Sequence, residues 1–167
     1  MIDLDEVLAF ATEAHTGQLR KYTGDDYIVH PIAVSELVKI HGGSLEQQAA
    51  ALLHDTVEDC DVTLDDIEKE FGTDIASLVY WLTDTSKPED GNRAIRKSID
   101  AERLGNAPAE AQFVKVADLI DNTKSIVEFD SSFAKVYLRE KSILLSKMTK
   151  VHDSSLFTLA YHQLEMF

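Results

Sequence analysis

The spacing of apolar residues is helical along nearly the whole chain, and this periodicity is the feature that most restricts its fold. Near the N-terminus, Leu4, Val7, Leu8, Ala11 and Ala14 follow the three- and four-residue intervals of one helix face. The period-two alternation that predicts half-buried strands is weak everywhere. The pattern therefore predicts an all-α fold, with a single domain of about 8–9 helices spanning residues 1–167.

Capping residues divide this pattern into segments. Ser44 with Gln47, and Thr63 with Asp66, have the spacing of capping boxes, and Pro31 suits the first position of a helix. The later part of the chain is predicted to form helices over residues 74–82, 93–104, 109–127, 133–150 and 154–165, with a loop over residues 84–92.

The charges are unevenly placed along an acidic chain of net charge −14. Twelve of the 16 Lys and Arg residues lie between Lys87 and Lys150, whereas residues 55–74 hold nine carboxylates. The overall field disfavours non-specific binding to nucleic acid or to an anionic membrane. An acidic first half and a more basic second half could hold a metal ion and a phosphate between them, although most of these charges are expected to lie on a solvated surface.

Cysteine content and apolar run length bear on the compartment. Cys60 is the single cysteine, so an internal disulfide is excluded and a reducing cytoplasm is favoured. The N-terminus lacks the basic and apolar regions of a secretory signal. The longest strongly apolar stretch, residues 49–53, is too short to cross a bilayer. We therefore expect a cytoplasmic protein with no membrane partner.

The dipeptide His54-Asp55 follows that apolar stretch and is the main candidate for chemistry. An imidazole and a carboxylate are good ligands for divalent transition metals. If the helix continues, Glu58 and Asp59 lie on the same face one turn further on, where carboxylates can orient water or pass protons. By itself the dipeptide is weak evidence, and a capped helix end with a hydrogen-bonded histidine is the alternative.

Two further positions extend the candidate metal site. Asp118 and Asn122 lie four residues apart on an apolar helix, where a buried carboxylate requires a partner, either a metal ion or a salt bridge. His30 stands at a predicted helix start. Together His30, His54, Asp55 and Asp118 offer two nitrogens and two carboxylates, a mixture that suits Mn²⁺, Fe²⁺ or Zn²⁺ better than Ca²⁺ or Mg²⁺.

The order of these residues resembles that of a known family. The strings are Arg20-Lys21, then Tyr27-Ile28-Val29-His30-Pro31, then Leu53-His54-Asp55-Thr56-Val57-Glu58-Asp59, then Val114-Lys115-Val116-Ala117-Asp118. They are similar to the HD superfamily of metal-dependent phosphohydrolases, and most similar to the hydrolase domains of the RelA/SpoT family and their small stand-alone relatives. The resemblance covers roughly residues 5–150 and implies a helical bundle of the HD type.

The resemblance also implies a role for each residue. It implies a metal ion, usually manganese, held by His30, His54, Asp55 and Asp118. It implies that Glu58 and Asp59 position and activate the attacking water. It implies nucleotide contacts from Arg20, Lys21 and Asn122. The implied reaction releases pyrophosphate from the 3′ position of guanosine tetra- and pentaphosphate.

The sequence departs from the family beside the last metal ligand. Leu119 and Asp121 stand where relatives commonly carry Arg or Lys and His or Tyr. Arg93, Arg96 and Lys97 follow the predicted loop and could replace the lost positive charge, because guanidinium groups match phosphate in shape. An exposed amphipathic helix is the alternative for this segment.

Three functions remain open from the sequence. The leading one is a Mn²⁺-dependent hydrolase of a phosphorylated guanine nucleotide. The second is the same chemistry on a dinucleotide cofactor phosphate or a deoxynucleotide. The third is a nucleotide sensor without turnover, against which the intact Glu58-Asp59 pair argues. We expect no synthetase domain, and a homodimer stays open.

Overall fold

The computed structural model describes all 167 residues and is helical throughout. Its α-helices are α1 (Leu4–Ala14), α2 (Val29–Ile40), α3 (Leu45–Leu53), α4 (Thr56–Asp59), α5 (Leu64–Phe71), α6 (Thr73–Leu82), α7 (Arg93–Gly105), α8 (Ala109–Phe129), α9 (Ser131–Lys147) and α10 (Ser155–Met166). Two 3₁₀ turns lie at Pro88–Asp90 and Thr149–Val151. The chain has no strand, only an isolated bridge between Leu19 and Asp26. The all-α prediction is confirmed, and nine of the helices are longer than one turn.

Helix starts follow the capping residues closely. Ser44 and Gln47 form a reciprocal capping box at the start of α3, and Thr63 and Asp66 form another at the start of α5. Each box pairs two backbone N–H groups that the helix itself leaves without acceptors. Asn92 caps α7 through its side chain, which accepts from the amide of Ile95 at 3.0 Å.

The chain divides into two compact units, Met1–Thr83 and Asp84–Phe167. In the first unit α3 is central, because α1, α2 and α6 all pack on it. Five consecutive residues of α3, Ala49–Leu53, are buried, so this helix is enclosed on every side. A helix that is apolar all round is stable only in such an enclosed position. The burial fixes the residues that follow Leu53.

In the second unit the long helix α8 packs against α9 and α10, and α7 packs against α9. The core of α8 includes Val114, Val116, Ala117 and Ile120, none of which is exposed. The 84–92 loop is confirmed as largely irregular, although it contains the 3₁₀ turn Pro88–Asp90. The prediction that residues 1–167 form one domain stays a prediction.

One expectation about local structure is wrong. The helix before His54 does not continue to Asp59; α3 ends at Leu53, and the single turn α4 begins at Thr56. The hydroxyl of Thr56 donates to the carbonyl oxygen of Leu53 at 2.8 Å, and the His54 ring bonds the carbonyl oxygen of Ala51 at 2.6 Å. Side chains that bond nearby carbonyls compete with the regular helix, which explains the break.

Helix α2 also begins earlier than expected, at Val29 rather than Pro31. His30 therefore lies in the first turn of α2 and is enclosed with it. No helix in the structure combines the length and the apolar character that a membrane span requires.

Candidate functional site

Three predicted ligands meet in the first unit. His30 comes from the first turn of α2, and His54 and Asp55 occupy the break between α3 and α4. Nε2 of His54 lies 3.0 Å from Oδ2 of Asp55, and Nε2 of His30 lies 3.8 Å from the same oxygen. One ligand atom from each residue lies within 4.8 Å of the others. Both histidines are buried, at 1% and 2% exposure, while Asp55 is half-buried.

The hydrogen bonding of His54 indicates what this cluster can bind. Its Nδ1 atom faces the carbonyl oxygen of Ala51, which can only accept, so Nδ1 carries the hydrogen. A neutral His54 then directs the Nε2 lone pair at the carboxylate of Asp55. Two acceptors at 3.0 Å need a cation, either a proton on Nε2 or a metal ion. A metal ion at this position could also bind Nε2 of His30. The hydrogen bond from His54 to the carbonyl oxygen of Ala51 is of the kind that usually orients an imidazole that binds a metal.

The predicted catalytic pair lies on the single turn α4. Glu58 and Asp59 are both exposed residues, and Oδ2 of Asp59 accepts from Nε2 of Gln18 at 3.3 Å. The pKa of the Asp59 carboxyl is nevertheless raised, first by the loss of water around it and then by the charge of Asp55. A carboxylate with a raised pKa beside this histidine–aspartate cluster is suited to accept a proton from water.

The two basic residues before the first histidine are placed differently. The guanidinium carbon of Arg20 lies 5.8 Å from the ring centre of Tyr27, which in turn bonds Asp55. Lys21 is exposed, and its ammonium lies 5.2 Å from the ring centre of Tyr22. Arg20 is thus connected to the histidine–aspartate cluster through one aromatic ring, whereas the contact of Lys21 leads to a different ring.

Sequence reasoning missed three neighbours of this cluster. His15 is 3% exposed; its Nδ1 lies 2.8 Å from Oε1 of Gln18 and 3.2 Å from Sγ of Cys60. The ring of Tyr27 packs against that of His15 at a tilt of 41°, with ring centres 4.8 Å apart. Tyr27 stood inside the family string three residues before His30, a signal that was available. His15 and Gln18 lie outside the family strings, so no sequence signal pointed to them.

The surroundings of Cys60, the single cysteine, make it a poor nucleophile. Burial raises the pKa of the thiol, and the charges of Asp59 and Asp55 raise it further. A thiol whose pKa is raised is mostly protonated at neutral pH, and the protonated form is a weak nucleophile. The nearby imidazole of His15 does not reverse this direction.

The second unit contains a cavity of about 610 Å³ between α7, α8 and α9. Its wall includes four predicted site residues, Asp118, Asn122, Arg93 and Lys97. Five basic and four acidic side chains line it, so the cavity is not dominated by the acidic surplus of the chain. A cavity of this size, with charged groups set in a mostly apolar wall, is a suitable binding site for a small molecule.

Asp118 is 4% exposed, and both of its oxygens accept hydrogen bonds. Oδ2 accepts from Nζ of Lys115 at 2.8 Å, and Oδ1 accepts from Nδ2 of Asn122 at 3.0 Å. Asp118 and Asn122, which the sequence places four residues apart on one helix, are therefore in direct contact. The salt bridge to Lys115 shows that a metal ion is not needed to satisfy this carboxylate in the second unit taken by itself.

The basic residues of α7 do not share one face of the helix. Arg93 and Lys97 line the cavity, whereas Arg96 does not and has a buried Nε without a hydrogen-bond partner. Around the helix axis, Lys97 lies about 40° from Arg93, whereas Arg96 lies about 60° from Arg93 in the opposite direction. Arg96 and Lys97 therefore point about 100° apart. Arg93 forms a two-pronged salt bridge with Glu140, at 2.7 and 3.0 Å.

Comparison with known proteins gives one family and several relatives. Residues 7–132 match the HD domain family. The human guanosine-3′,5′-bis(diphosphate) 3′-pyrophosphohydrolase MESH1 is 36% identical over 124 residues, which are 72% of this chain and 68% of the human protein. A Vibrio cholerae enzyme of the same activity is 34% identical over 119 residues, which are 70% of this chain. Those residues span only 17% of the Vibrio protein.

The fold has a close counterpart among solved structures. The structure of a metazoan ortholog of SpoT, described as hydrolysing ppGpp, superposes with a TM-score of 0.85 and 25% identity. The match covers 97% of this chain and 93% of that protein. A Listeria monocytogenes structure at 24% identity and a TM-score of 0.70 shares the fold.

Proposed function

Because this chain belongs to the HD domain family, we propose that it is a Mn²⁺-dependent pyrophosphohydrolase that removes the 3′-pyrophosphate of guanosine 3′,5′-bis(diphosphate). The observation that carries the proposal is the contact of His54 Nε2 with Asp55 Oδ2 at 3.0 Å, with His30 Nε2 on the same oxygen. Relatives at 34–36% identity are named for this activity. The fold and the cluster support metal-dependent hydrolysis, and the named relatives support the nucleotide.

The proposed ligands are His30, His54 and Asp55, with Asp118 as the predicted fourth. A bound divalent metal ion would lower the pKa of water and polarise a phosphoryl oxygen. Manganese is preferred by resemblance, and Fe²⁺ and Zn²⁺ suit the same nitrogen and oxygen donors. Metal content measured on protein purified without chelator tests the choice of ion.

Glu58 and Asp59 are proposed to accept the proton of the attacking water. The pKa of the Asp59 carboxyl is raised by the loss of surrounding water and by the charge of Asp55, which makes this carboxylate a better proton acceptor. The amide of Gln18 donates to Asp59 Oδ2 and restricts the direction in which that carboxylate points. Glu58 is one residue earlier on the same turn and is proposed to share the role.

Arg20, Lys21 and Asn122 are proposed to contact the nucleotide, and Arg93 and Lys97 its phosphates; Arg96, predicted as a third phosphate contact, does not line the cavity. The amide nitrogen of Asn122 donates to Asp118, so its carbonyl oxygen is directed away and can accept from a ribose hydroxyl. Among the three basic residues of α7, Arg93 and Lys97 have the stronger support because both line the cavity. The departures at Leu119 and Asp121 leave the nucleotide as the part of the proposal that most requires a test.

A substrate panel tests this proposal. Protein treated with chelator and reloaded with Mn²⁺ is incubated with guanosine 3′,5′-bis(diphosphate), a dinucleotide cofactor carrying a 2′-phosphate, and a deoxynucleoside triphosphate. We expect the highest kcat/KM on the guanosine compound and none without the metal. Higher efficiency on another compound would replace the substrate. Mn²⁺ and nucleotide binding without any turnover would favour the sensor.

A further inference from the structure

Tyr27 is the residue through which the histidine–aspartate cluster and Arg20 are connected. Its hydroxyl donates to Oδ2 of Asp55 at 2.6 Å. The edge of its ring meets His30, with centres 5.9 Å apart, and the guanidinium of Arg20 lies 5.8 Å from the ring centre. One half-buried side chain therefore touches two predicted metal ligands and one predicted nucleotide contact.

The backbone holds Tyr27 firmly enough to do this. Its amide donates to the carbonyl of Gln18 at 2.9 Å, and its carbonyl accepts from the amide of His30 at 3.0 Å. The second bond ties Tyr27 to the first turn of α2, so the tyrosine and His30 are fixed relative to each other. The ring of His15, with its centre 4.8 Å from that of Tyr27, packs against the tyrosine and limits rotation of its side chain.

The hydroxyl contact determines how Asp55 is presented. Asp55 lies in the break between α3 and α4, and Oδ2 of its carboxylate faces Nε2 of His54 at 3.0 Å. An oxygen that accepts a short hydrogen bond from Tyr27 still has a lone pair for another partner, and its direction is then set. Hydrogen bonds to ligating carboxylates commonly contribute 10- to 100-fold in metal affinity.

The ring contact has a separate consequence. A guanidinium group over an aromatic face is attracted to it and loses part of its conformational freedom before any ligand arrives. Arg20 is thereby held next to the cluster that contains Asp55. The hydroxyl and the ring of Tyr27 act on different partners, so they can be separated by substitution.

We infer that Tyr27 is a positioning residue with two parts, a hydroxyl that orients Asp55 toward a divalent metal ion and a ring that holds Arg20 for an anionic nucleotide. The inference rests on the proposed function, since it assigns Tyr27 to the same site. Tyr27 contacts neither the reacting phosphate nor the water in this role; it acts through Asp55 and Arg20.

The test compares Tyr27→Phe with Tyr27→Leu. Mn²⁺ alone is titrated into each chelator-treated protein by calorimetry, and KM for guanosine 3′,5′-bis(diphosphate) is measured at saturating Mn²⁺. We expect Tyr27→Phe to weaken Mn²⁺ binding by about 10-fold or more with little change in KM. Tyr27→Leu is expected to weaken Mn²⁺ binding equally and to raise KM as well, by about 3-fold or more, because Arg20 loses its platform.

Tyr161→Phe is the matched control, since Tyr161 is 52% exposed on α10 in the second unit and should change neither quantity. If Tyr27→Phe binds Mn²⁺ as tightly as wild type, the role proposed for the hydroxyl is wrong. If Tyr27→Phe and Tyr27→Leu have the same KM, the role proposed for the ring is wrong. If Tyr27→Leu fails to fold, Tyr27→Met replaces it as the variant without a ring, with the same expectation of a raised KM. Wild-type protein that binds no Mn²⁺ would overturn the metal site and this inference together, whereas Mn²⁺ binding without turnover would overturn only the proposed reaction.

Discussion

Nε2 of His54 and Oδ2 of Asp55 lie 3.0 Å apart, although neighbours on a regular helix point about 100° away from each other. The contact forms because α3 ends at Leu53 and a new turn begins at Thr56. With Nδ1 of His54 bonded to the carbonyl of Ala51, the nitrogen that faces Asp55 has a lone pair to share. This arrangement is the physical basis of the metal site we propose.

The first prediction concerns the metal ligands. His54→Ala removes a buried nitrogen donor, so we expect the protein to lose its bound transition metal while staying folded. Asp118→Ala tests the fourth ligand, and we expect the metal content to fall there as well. Elemental analysis measures both, with the exposed His162→Ala as control. Full metal content in both variants would remove the basis of the assignment.

The second prediction concerns the carboxylates on α4. Glu58→Gln and Asp59→Asn keep the size of each side chain but remove its ability to accept a proton. We expect the metal content to be retained and kcat to fall about 100-fold or more, the usual range for a general acid or base. Rates near wild type in both variants would place the general base elsewhere in the protein.

The third prediction concerns phosphate recognition on α7. Arg93→Ala and Lys97→Ala each remove a charge from the cavity wall, and we expect kcat/KM to fall about 10- to 150-fold for each, as for loss of a hydrogen bond to a charged group. Arg96→Ala is the matched control, because Arg96 lies on the same helix but does not line the cavity. We expect this variant to have the smallest change in kcat/KM. We expect Arg20→Ala to show a large loss too.

These kinetics are best measured at low salt, where phosphate contacts count most. Glu140→Gln gives an independent check, since it weakens the salt bridge that occupies Arg93 and should lower KM. If the Arg93 and Lys97 variants change kcat/KM no more than Arg96→Ala does, the basic side chains of α7 do not contact the substrate. Substrate choice would then rest on Arg20, Lys21 and Asn122.

The fourth prediction concerns Lys141, which has no exposed surface. Its Nζ donates to Thr123 at 2.9 Å and to Gln163 at 2.6 Å, neither of which is a carboxylate. Burial lowers the pKa of this amine from 10.5 to about 7. Between these values the unfolded chain binds the additional proton, so the free energy of unfolding rises with pH across the interval. The full gain is on the order of 5 kcal/mol.

Lys141→Met removes this titration while nearly preserving the volume of the side chain. We expect its stability, measured by urea unfolding from pH 6.5 to 9.5, to rise less steeply than that of wild type. The variant also lacks the hydrogen bond to Oε1 of Gln163, and this part of the difference, about 1–3 kcal/mol, does not change with pH. The exposed Lys124→Met should follow wild type. Parallel curves for wild type and Lys141→Met would contradict the lowered pKa.

Local signals in the sequence predicted most of the fold. The capping boxes at Ser44 and Thr63 fixed two helix starts, because capping depends on residues only three positions apart. The end of α3 was missed, since it depends on Thr56 bonding backward to Leu53 rather than on any breaker residue. A periodic apolar pattern carries no information about such a bond.

The candidate site divides in the same way. His30, His54 and Asp55 could be predicted as a group because the family strings name them, and the structure brings them together. Gln18 meets Asp59 across 41 residues, and no sequence pattern encodes a contact at that separation. The burial of Lys141 was equally hidden, since a lysine on a helix is normally exposed.

The most direct test of the proposed function identifies the product. Guanosine 3′,5′-bis(diphosphate) is incubated with the Mn²⁺-loaded protein, and the reaction is followed by ³¹P NMR, with Glu58→Gln in parallel. We predict equal amounts of pyrophosphate and guanosine 5′-diphosphate from wild type, and almost none from the variant over the same time. Orthophosphate as the first product, or intact substrate with Mn²⁺ bound to the wild-type protein, would contradict the proposed 3′-pyrophosphohydrolase.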